Sequence, residues 1–239
     1  MPSHDDEQQL KQALVLACRI LAMEGQGDNI LGHVTARLPG WERCWMKPAG
    51  LGLEEIEVDD LILIDFDGKV LAGHRPRHEE YPIHTEIMRA RPDVLGVVHT
   101  HPLHSVAFAA RGRPLRPIGH EGSYFWPPEV PTFDRKTDLI RTREEGQWVA
   151  ETLGEARAVF MLNHGIAVPG PTVEVALVAA LFLERAARMQ LLAEADGTTA
   201  RHTPEAEAVL KKAVFPPDRL QGMFDYYCRK LRRWSGVPA

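Results

Sequence analysis

The stretch Val97-Val98-His99-Thr100-His101-Pro102 constrains this chain more than any other. With Val94 and Leu95 ahead of it, it reads as a buried strand, since a short apolar run rich in β-branched residues suits a sheet interior. Residues two apart on a strand face the same way. His99 and His101 therefore aim two imidazoles at one point, and Pro102 ends the strand there. Paired neutral imidazoles are half of a transition-metal site. A fold for this chain must bury the strand and leave that end of it open to a ligand.

The rest of the chain supplies layers for such a strand. Apolar spacing predicts a helix over 7–23, closed by Gly25-Gln26-Gly27-Asp28-Asn29. Strands follow over 32–38, 43–46 and 61–65, with the loop Lys47-Pro48-Ala49-Gly50 after the second. Asp67-Gly68 signals a hairpin that returns over 69–71. A helix opens at Glu79 or Glu80, carries Pro82 in its first turn, and runs to about Ala90. Another helix spans 103–110. Residues 111–135 show no clear period and read as a long functional loop. Helix 144–153, strand 158–162, an apolar stretch 166–168 and a turn at Pro169-Gly170-Pro171 come next. The segment 172–195 is apolar on most of its circumference, which predicts a helix buried in the core or at a subunit interface. Two helices, 203–213 and 217–233, end the chain. Helices before, between and after several strands predict a three-layer αβα sandwich, an α/β domain.

A third histidine, His164, also ends an apolar strand, beside Gly165. With His99 and His101 it makes a three-histidine set that leaves a coordination position open, as catalytic metal sites require. Glu80 opens the helix just before the histidine strand. A carboxylate there is a ligand, a general base, or each in turn.

Four blocks of residues together resemble the class II aldolase/adducin family. They are Glu80-Tyr81-Pro82-Ile83-His84, Ala90-Arg91-Pro92-Asp93-Val94, Val98-His99-Thr100-His101 and Asn163-His164-Gly165. The loops at 32–37 and 47–50, and the helix from Thr172 with Phe182-Leu183-Glu184-Arg185-Ala186, extend the likeness over roughly residues 8–196. The resemblance implies a mostly antiparallel central sheet flanked by helices, a domain over 1–200, and a helical tail over 201–239. The tail packs on that domain or on a neighbouring subunit.

It also implies that His99, His101 and His164 hold a divalent metal, with Zn2+ first and Mn2+, Co2+ or Fe2+ as alternatives. Glu80 matches the acid/base glutamate, and the assembly is a homotetramer with sites between subunits. In such a site the metal chelates two substrate oxygens and stabilises an enolate as a carbon–carbon bond breaks.

Sugar-phosphate aldolases of the family carry an Asn and several small hydroxyl donors around the phosphate. Here His33, Lys47, Ala49 and the pair His78-Glu79 stand at those places. The chain therefore resembles more closely the members that decarboxylate hydroxylated aromatic or pyridine dicarboxylates, and Pro131-Thr132-Phe133, 138–142 and Glu145-Gly146 add to that likeness. His33, Lys47, Gly50, His78 and Glu79 are the expected substrate-binding residues, with Arg75 and Arg77 as further cations for a carboxylate. His33 and His78, near their ordinary pKa, are expected to be partly charged at neutral pH. His120 falls where sugar-phosphate aldolases present a tyrosine acid across the subunit boundary, and is the expected proton donor beside Tyr226 or Tyr227 of a neighbour. The expected function is a metal-dependent carbon–carbon lyase, a decarboxylase ahead of a retro-aldolase. A non-catalytic adducin-like binding module is the reading from another class.

Composition narrows the partners. A net charge of −5 and a pI near 6.1 give no sign of a nucleic-acid or membrane surface. The three cysteines are too scattered for a disulfide frame, and the first seven residues are not those of a signal peptide. These features predict a cytoplasmic protein, and the small-carboxylate substrate is what the resemblance implies.

Overall fold

The computed structural model describes residues 3–235. Eight strands form one sheet: β1 (His33–Ala36), β2 (Arg43–Met46), β3 (Ile62–Asp65), β4 (Val70–Ala72), β5 (Gly96–Thr100), β6 (Thr132–Phe133), β7 (Val159–Met161) and β8 (Gly165–Gly170). The spatial order is β4-β3-β2-β1-β5-β8-β7-β6. Every pair is antiparallel except β6 with β7. Eight helices flank it: α1 (His4–Leu21), α2 (Tyr81–Ala90), α3 (Leu103–Ala109), α4 (Gly119–Tyr124), α5 (Arg143–Leu153), α6 (Val173–Ala193), α7 (Glu205–Lys212) and α8 (Pro217–Trp234).

Strand alternation sorts the core into two layers. Val34, Ala36, Val98, Ile166 and Val168 face α1, α6 and α8. Cys44, Met46, Val97, Val159 and Ala167 face α2 and α5 on the other side. The sandwich has three layers, αβα. By the same alternation His33, Thr35 and His99 lie on the α2/α5 face. The β1–β5 register sets His33 opposite His99 and Thr35 opposite Val97. Helices α2 and α5 meet so closely that a Cβ at Gly146 would lie 2.5 Å from the Pro82 carbonyl oxygen.

Several expectations change in detail. The long segment 111–135 is not structureless, since α4 and β6 lie within it. The turn expected at Pro169-Gly170-Pro171 is the end of β8, which runs through Gly170. Pro169 is tolerated because β7 pairs only with residues 165–167, leaving that side of β8 open at 169. Helix α1 begins at His4 behind a Ser3–Asp6 capping box, and continues past Leu21 as a π-helical turn through Gln26. Most of the apolar circumference of α6 is buried within one chain, by packing against β5, β8, α1, α3, α4 and α8, while Met189 and Leu192 near its end stay exposed. The tail packs on the same body: Leu220, Phe224, Tyr227 and Leu231 of α8 join the core. Residues 236–239 lie outside the described residues.

Arg37 ties the α2 layer to the sheet. It is buried, and its guanidinium donates to five carbonyl oxygens, those of Trp41, Met88, Arg91, Pro92 and Val94. Three of these belong to the end of α2 and the turn after it, where unsatisfied carbonyls and the helix dipole favour a cation. Arg37→Ala should therefore destabilise the fold by roughly 3 kcal/mol, because it strands several buried acceptors at once. Chemical unfolding measures this. A change below about 0.5 kcal/mol, the size of an ordinary surface substitution, would contradict it.

Candidate metal centre

At the carboxyl end of β5 the chain leaves the sheet through His101 and Pro102. The three-residue connection between β7 and β8 brings His164 to the same place. It turns on Asn163, which takes the left-handed φ of 54° that asparagine tolerates. Gly165 follows because a side chain there would fall on the Thr100 carbonyl and lie 2.7 Å from His101 Cδ2. Glu80 precedes α2 but makes no capping bond to it. Its Oε1 instead accepts from the Ile140 N–H at 2.8 Å. The result is a cluster of Glu80, His99, His101 and His164 whose donor atoms lie within 4.8 Å of one another.

The hydrogen bonds around these rings decide which nitrogens are free. His99 Nδ1 lies 2.9 Å from the Ile166 carbonyl, which only accepts, so Nδ1 carries the hydrogen and Nε2 is bare. His101 Nδ1 lies 3.1 Å from Asp28 Oδ2, which leaves its Nε2 bare as well. The two bare Nε2 atoms stand 3.1 Å apart, too close for two lone pairs with nothing between them. Both nitrogens of His164 are shut off from solvent without any hydrogen-bond partner. Orphaned buried imidazoles are costly. A divalent ion held by His99, His101 and His164 relieves both problems, with Glu80 beside it as a fourth ligand or a base. Three nitrogens fit Zn2+ and its neighbours, and a position stays open for substrate when Glu80 serves as the base.

Burial shapes the charges. It pushes the His99 ring well below its ordinary pKa, and His101 is lowered by the same cause. Both are neutral, as metal ligation requires. Burial alone would raise Glu80, but the adjacent His164 and His99 rings and the Ile140 N–H outweigh it and hold the carboxyl down at about 2. Glu80 is therefore a carboxylate at neutral pH.

The expected substrate residues divide. His33, His78 and Lys47 pack together as one buried polar group beside the cluster. The His33 ring lies 4.7 Å from His99 and 4.4 Å from His78. Lys47, fully buried, donates to the Ile30 carbonyl at 2.9 Å and stands 3.3 Å from His78 Nε2. The charge expectation for the two histidines is overturned. Burial lowers His33 well below its usual pKa and takes His78 to about 4, so neither is cationic at neutral pH. Lys47 is the one cation of this group, and burial lowers its pKa to about 8.

Other expected residues lie elsewhere. Glu79 is exposed and paired with Arg141 at 2.8 Å. Gly50 is an exposed turn residue with a left-handed φ of 85°. Arg75 is paired with Asp60 at 2.7 Å, and Arg77 lies over the Tyr81 ring and donates to the Gly68 carbonyl. His120 is not at the cluster of its own chain. It lines a separate cavity of about 530 Å3 with Phe215, Tyr226 and Tyr227. Asp28 and Gln26, the latter bonded to Thr100 Oγ1, support the histidine strand but looked in sequence like residues of a helix-ending turn.

The profile of the Class II Aldolase and Adducin N-terminal domain matches residues 12–191. The chain belongs to that family. Among characterised relatives of this class II aldolase-family chain is the 3,4-dihydroxyphthalate decarboxylase of Arthrobacter keyseri, 32% identical over 82% of this chain and 84% of that one. The meiotically up-regulated gene 14 protein of Schizosaccharomyces pombe is 29% identical over 89% of this chain and 85% of its own length. Among solved structures, an L-fuculose 1-phosphate aldolase from Glaciozyma antarctica PI12 superposes with a TM-score of 0.86 at 28% identity, covering 99% of this chain and 94% of that one. Membership agrees with the fold and with a lyase role.

Asp28 fixes the ring orientation of His101 in the cluster. Asp28→Ala should weaken Zn2+ binding about 10- to 100-fold, the usual effect of losing the partner of a ligating histidine. Competition with a metal indicator measures it. Unchanged affinity would show that His101 is not held as a ligand by this bond.

Proposed function

We propose that this chain is a metal-dependent carbon–carbon lyase that decarboxylates a hydroxylated aromatic or related carboxylate. The observation that carries the reading is the make-up of the buried polar group: one cation, Lys47, among neutral imidazoles, next to an ionised Glu80 and the histidine cluster. A single ammonium suits a carboxylate better than a phosphate dianion, and the similarity to a 3,4-dihydroxyphthalate decarboxylase supports the same class.

His99, His101 and His164 would hold the ion, which when bound acts as a Lewis acid on two neighbouring substrate oxygens. Lys47 anchors a carboxylate and, with the neutral His33 and His78, sets its orientation. Glu80 accepts the hydrogen of the chelating hydroxyl as the substrate docks. It then delivers that proton to the ring carbon bearing the departing carboxylate. The bond from that carbon to the carboxylate breaks, its electron pair stays with the ring, and carbon dioxide leaves. The Ile140 N–H holds the Glu80 carboxylate in place at 2.8 Å throughout. Retro-aldol cleavage of a hydroxy-oxo acid would use the same groups, and the likeness to an L-fuculose 1-phosphate aldolase keeps it as the second reading. A purely binding, adducin-like role gives no reason for the partnerless His164 ring.

We further propose a homotetramer with sites shared between subunits, in which His120 or Tyr226 of a neighbour donates a proton. Exposed Ile30, Leu31 and Leu103, adjacent in sequence to the site's residues, are apolar surface that a neighbour would cover. Light scattering should then give four times the 26.8 kDa chain, and a monomer would contradict it.

Three results test the reaction. The metal-loaded enzyme should release carbon dioxide from hydroxylated aromatic acids and cleave sugar phosphates little or not at all. Glu80→Gln should retain metal and lose about 100-fold or more in kcat. Lys47 is charged below its pKa and neutral above it, so kcat/KM for a carboxylate should fall as pH rises through about 8. Efficient aldol cleavage of a sugar phosphate, with no carboxylate turned over, would overturn the reading.

A further inference from the structure

Glu184 lies on α6, in the stretch Phe182-Leu183-Glu184-Arg185-Ala186, and neither the histidine cluster nor the proposed reaction uses it. Its side chain, 17% exposed, reaches across to the start of α3. Oε1 accepts from the His104 N–H at 3.0 Å, and Oε2 accepts from the Ser105 N–H and the Ser105 hydroxyl, each at 2.8 Å. The His104 ring adds Nδ1, 2.6 Å from Oε1, and that nitrogen carries hydrogen because a carboxylate only accepts.

Helix α3 needs such a partner. Its first amides have no acceptor within the helix, and its cap residue is Pro102, which makes no side-chain capping bond. The missing cap therefore comes from another helix. Because α3 starts directly after His101-Pro102, whatever holds its first turn also holds the exit of the histidine strand.

The same face of α6 holds the other side of that exit. The Ala180 carbonyl accepts from Gln26 Nε2 at 3.1 Å, and Gln26 Oε1 accepts from Thr100 Oγ1 at 2.8 Å. Ala180 and Glu184, four apart, are neighbours along the helix surface. Gln26 and Thr100 are both buried, so each depends on the other for its hydrogen bond. One turn of α6 thus fixes residue 100 through Gln26 and residues 104 and 105 directly, with His101 between them. Asp28 then orients the ring.

We infer that Glu184 is a positioning residue for the metal centre: by capping α3 from α6 it fixes the backbone that carries His101, and so sets how firmly that histidine binds metal. It acts through this backbone and not as a ligand. The inference rests on the reading of His101 as a ligand and does not depend on which bond the enzyme breaks.

The test compares Glu184→Ala with the double variant Glu184→Ala/Pro102→Ser in the full chain. The backbone at 102 is already extended, with φ −70° and ψ 136°, so a serine there is placed to accept from the Ser105 N–H and replace the lost cap. Competition with a metal indicator should show Zn2+ binding about 10-fold weaker in Glu184→Ala, as for loss of a group behind a ligating histidine, and largely regained in the double variant. X-ray absorption should count one imidazole fewer in Glu184→Ala and the full number in the double variant. Circular dichroism confirms that the chains compared are folded. Glu184→Gln, which keeps one acceptor oxygen, makes the same comparison if the alanine variant does not fold, with a smaller loss of affinity. A role confined to stability would lower the unfolding midpoint and leave affinity and imidazole count unchanged, and that result would overturn the inference.

A second readout needs no metal. The proton on His101 Nδ1, held by Asp28 and assigned by its loss in His101→Asn, should give a sharp downfield resonance in the metal-free wild type and a broadened one in Glu184→Ala. An identical resonance in both would also overturn the inference. If it broadens as expected while the wild type binds no Zn2+, Glu184 does position His101 and the metal assignment fails.

Discussion

Burial of imidazoles without protonation is the constraint on which the rest of this site depends. His33, His84 and His99 are almost or wholly inaccessible, and desolvation drives all three well below the ordinary histidine range. A neutral ring has one hydrogen and one lone pair, so the backbone around it decides where each points. Ile166 and Asp28 take hydrogens on the protein side, and the lone pairs of His99 and His101 are turned inward. Glu80 supplies the only carboxylate in that inner space among the described residues. The arrangement is costly in free energy unless something electrophilic sits among the lone pairs. That is the physical reason to read a metal centre here, apart from any family likeness.

The scaffold supplies the precision. Antiparallel pairing of β1 with β5 fixes His33 against His99, and pairing of β5 with β8 sets His99 against Ala167, a small residue that leaves the ring room. The π-helical turn after α1 carries Gln26 and Asp28 back to the histidine strand, while Ile30 just beyond it holds Lys47. One segment thus supports His101 and Lys47 together. A displacement there would disturb both, although neither residue belongs to it.

Much of this was legible in the sequence because it depends on period and order. The alternation around His99, the apolar run before His164 and the position of Glu80 ahead of a helix are local patterns, and the fold keeps them. The layered architecture followed for the same reason. What was not legible depends on partners far apart in the chain. Arg75, Arg77 and Glu79 looked like ligands for substrate because sequence shows their charge, not Asp60, Gly68 and Arg141, which occupy them. The neutrality of His33 and His78 comes from desolvation, which no local pattern reports. His84 sat inside a recognised motif, but its bond to His33 across 51 residues appears only when α2 lies on the sheet. Pro169 misled in the other direction. A Pro-Gly-Pro run signals a turn, yet its place beyond the end of β7 let the strand continue.

X-ray absorption at the metal edge of the zinc-loaded full chain tests the central claim most directly, since it counts the ligands. Three imidazole nitrogens with oxygen completing the shell, falling to two imidazoles in His164→Ala, is the predicted result. A shell containing sulfur, or one with an unchanged imidazole count in that variant, would contradict the assignment of His99, His101 and His164 as the metal-binding set.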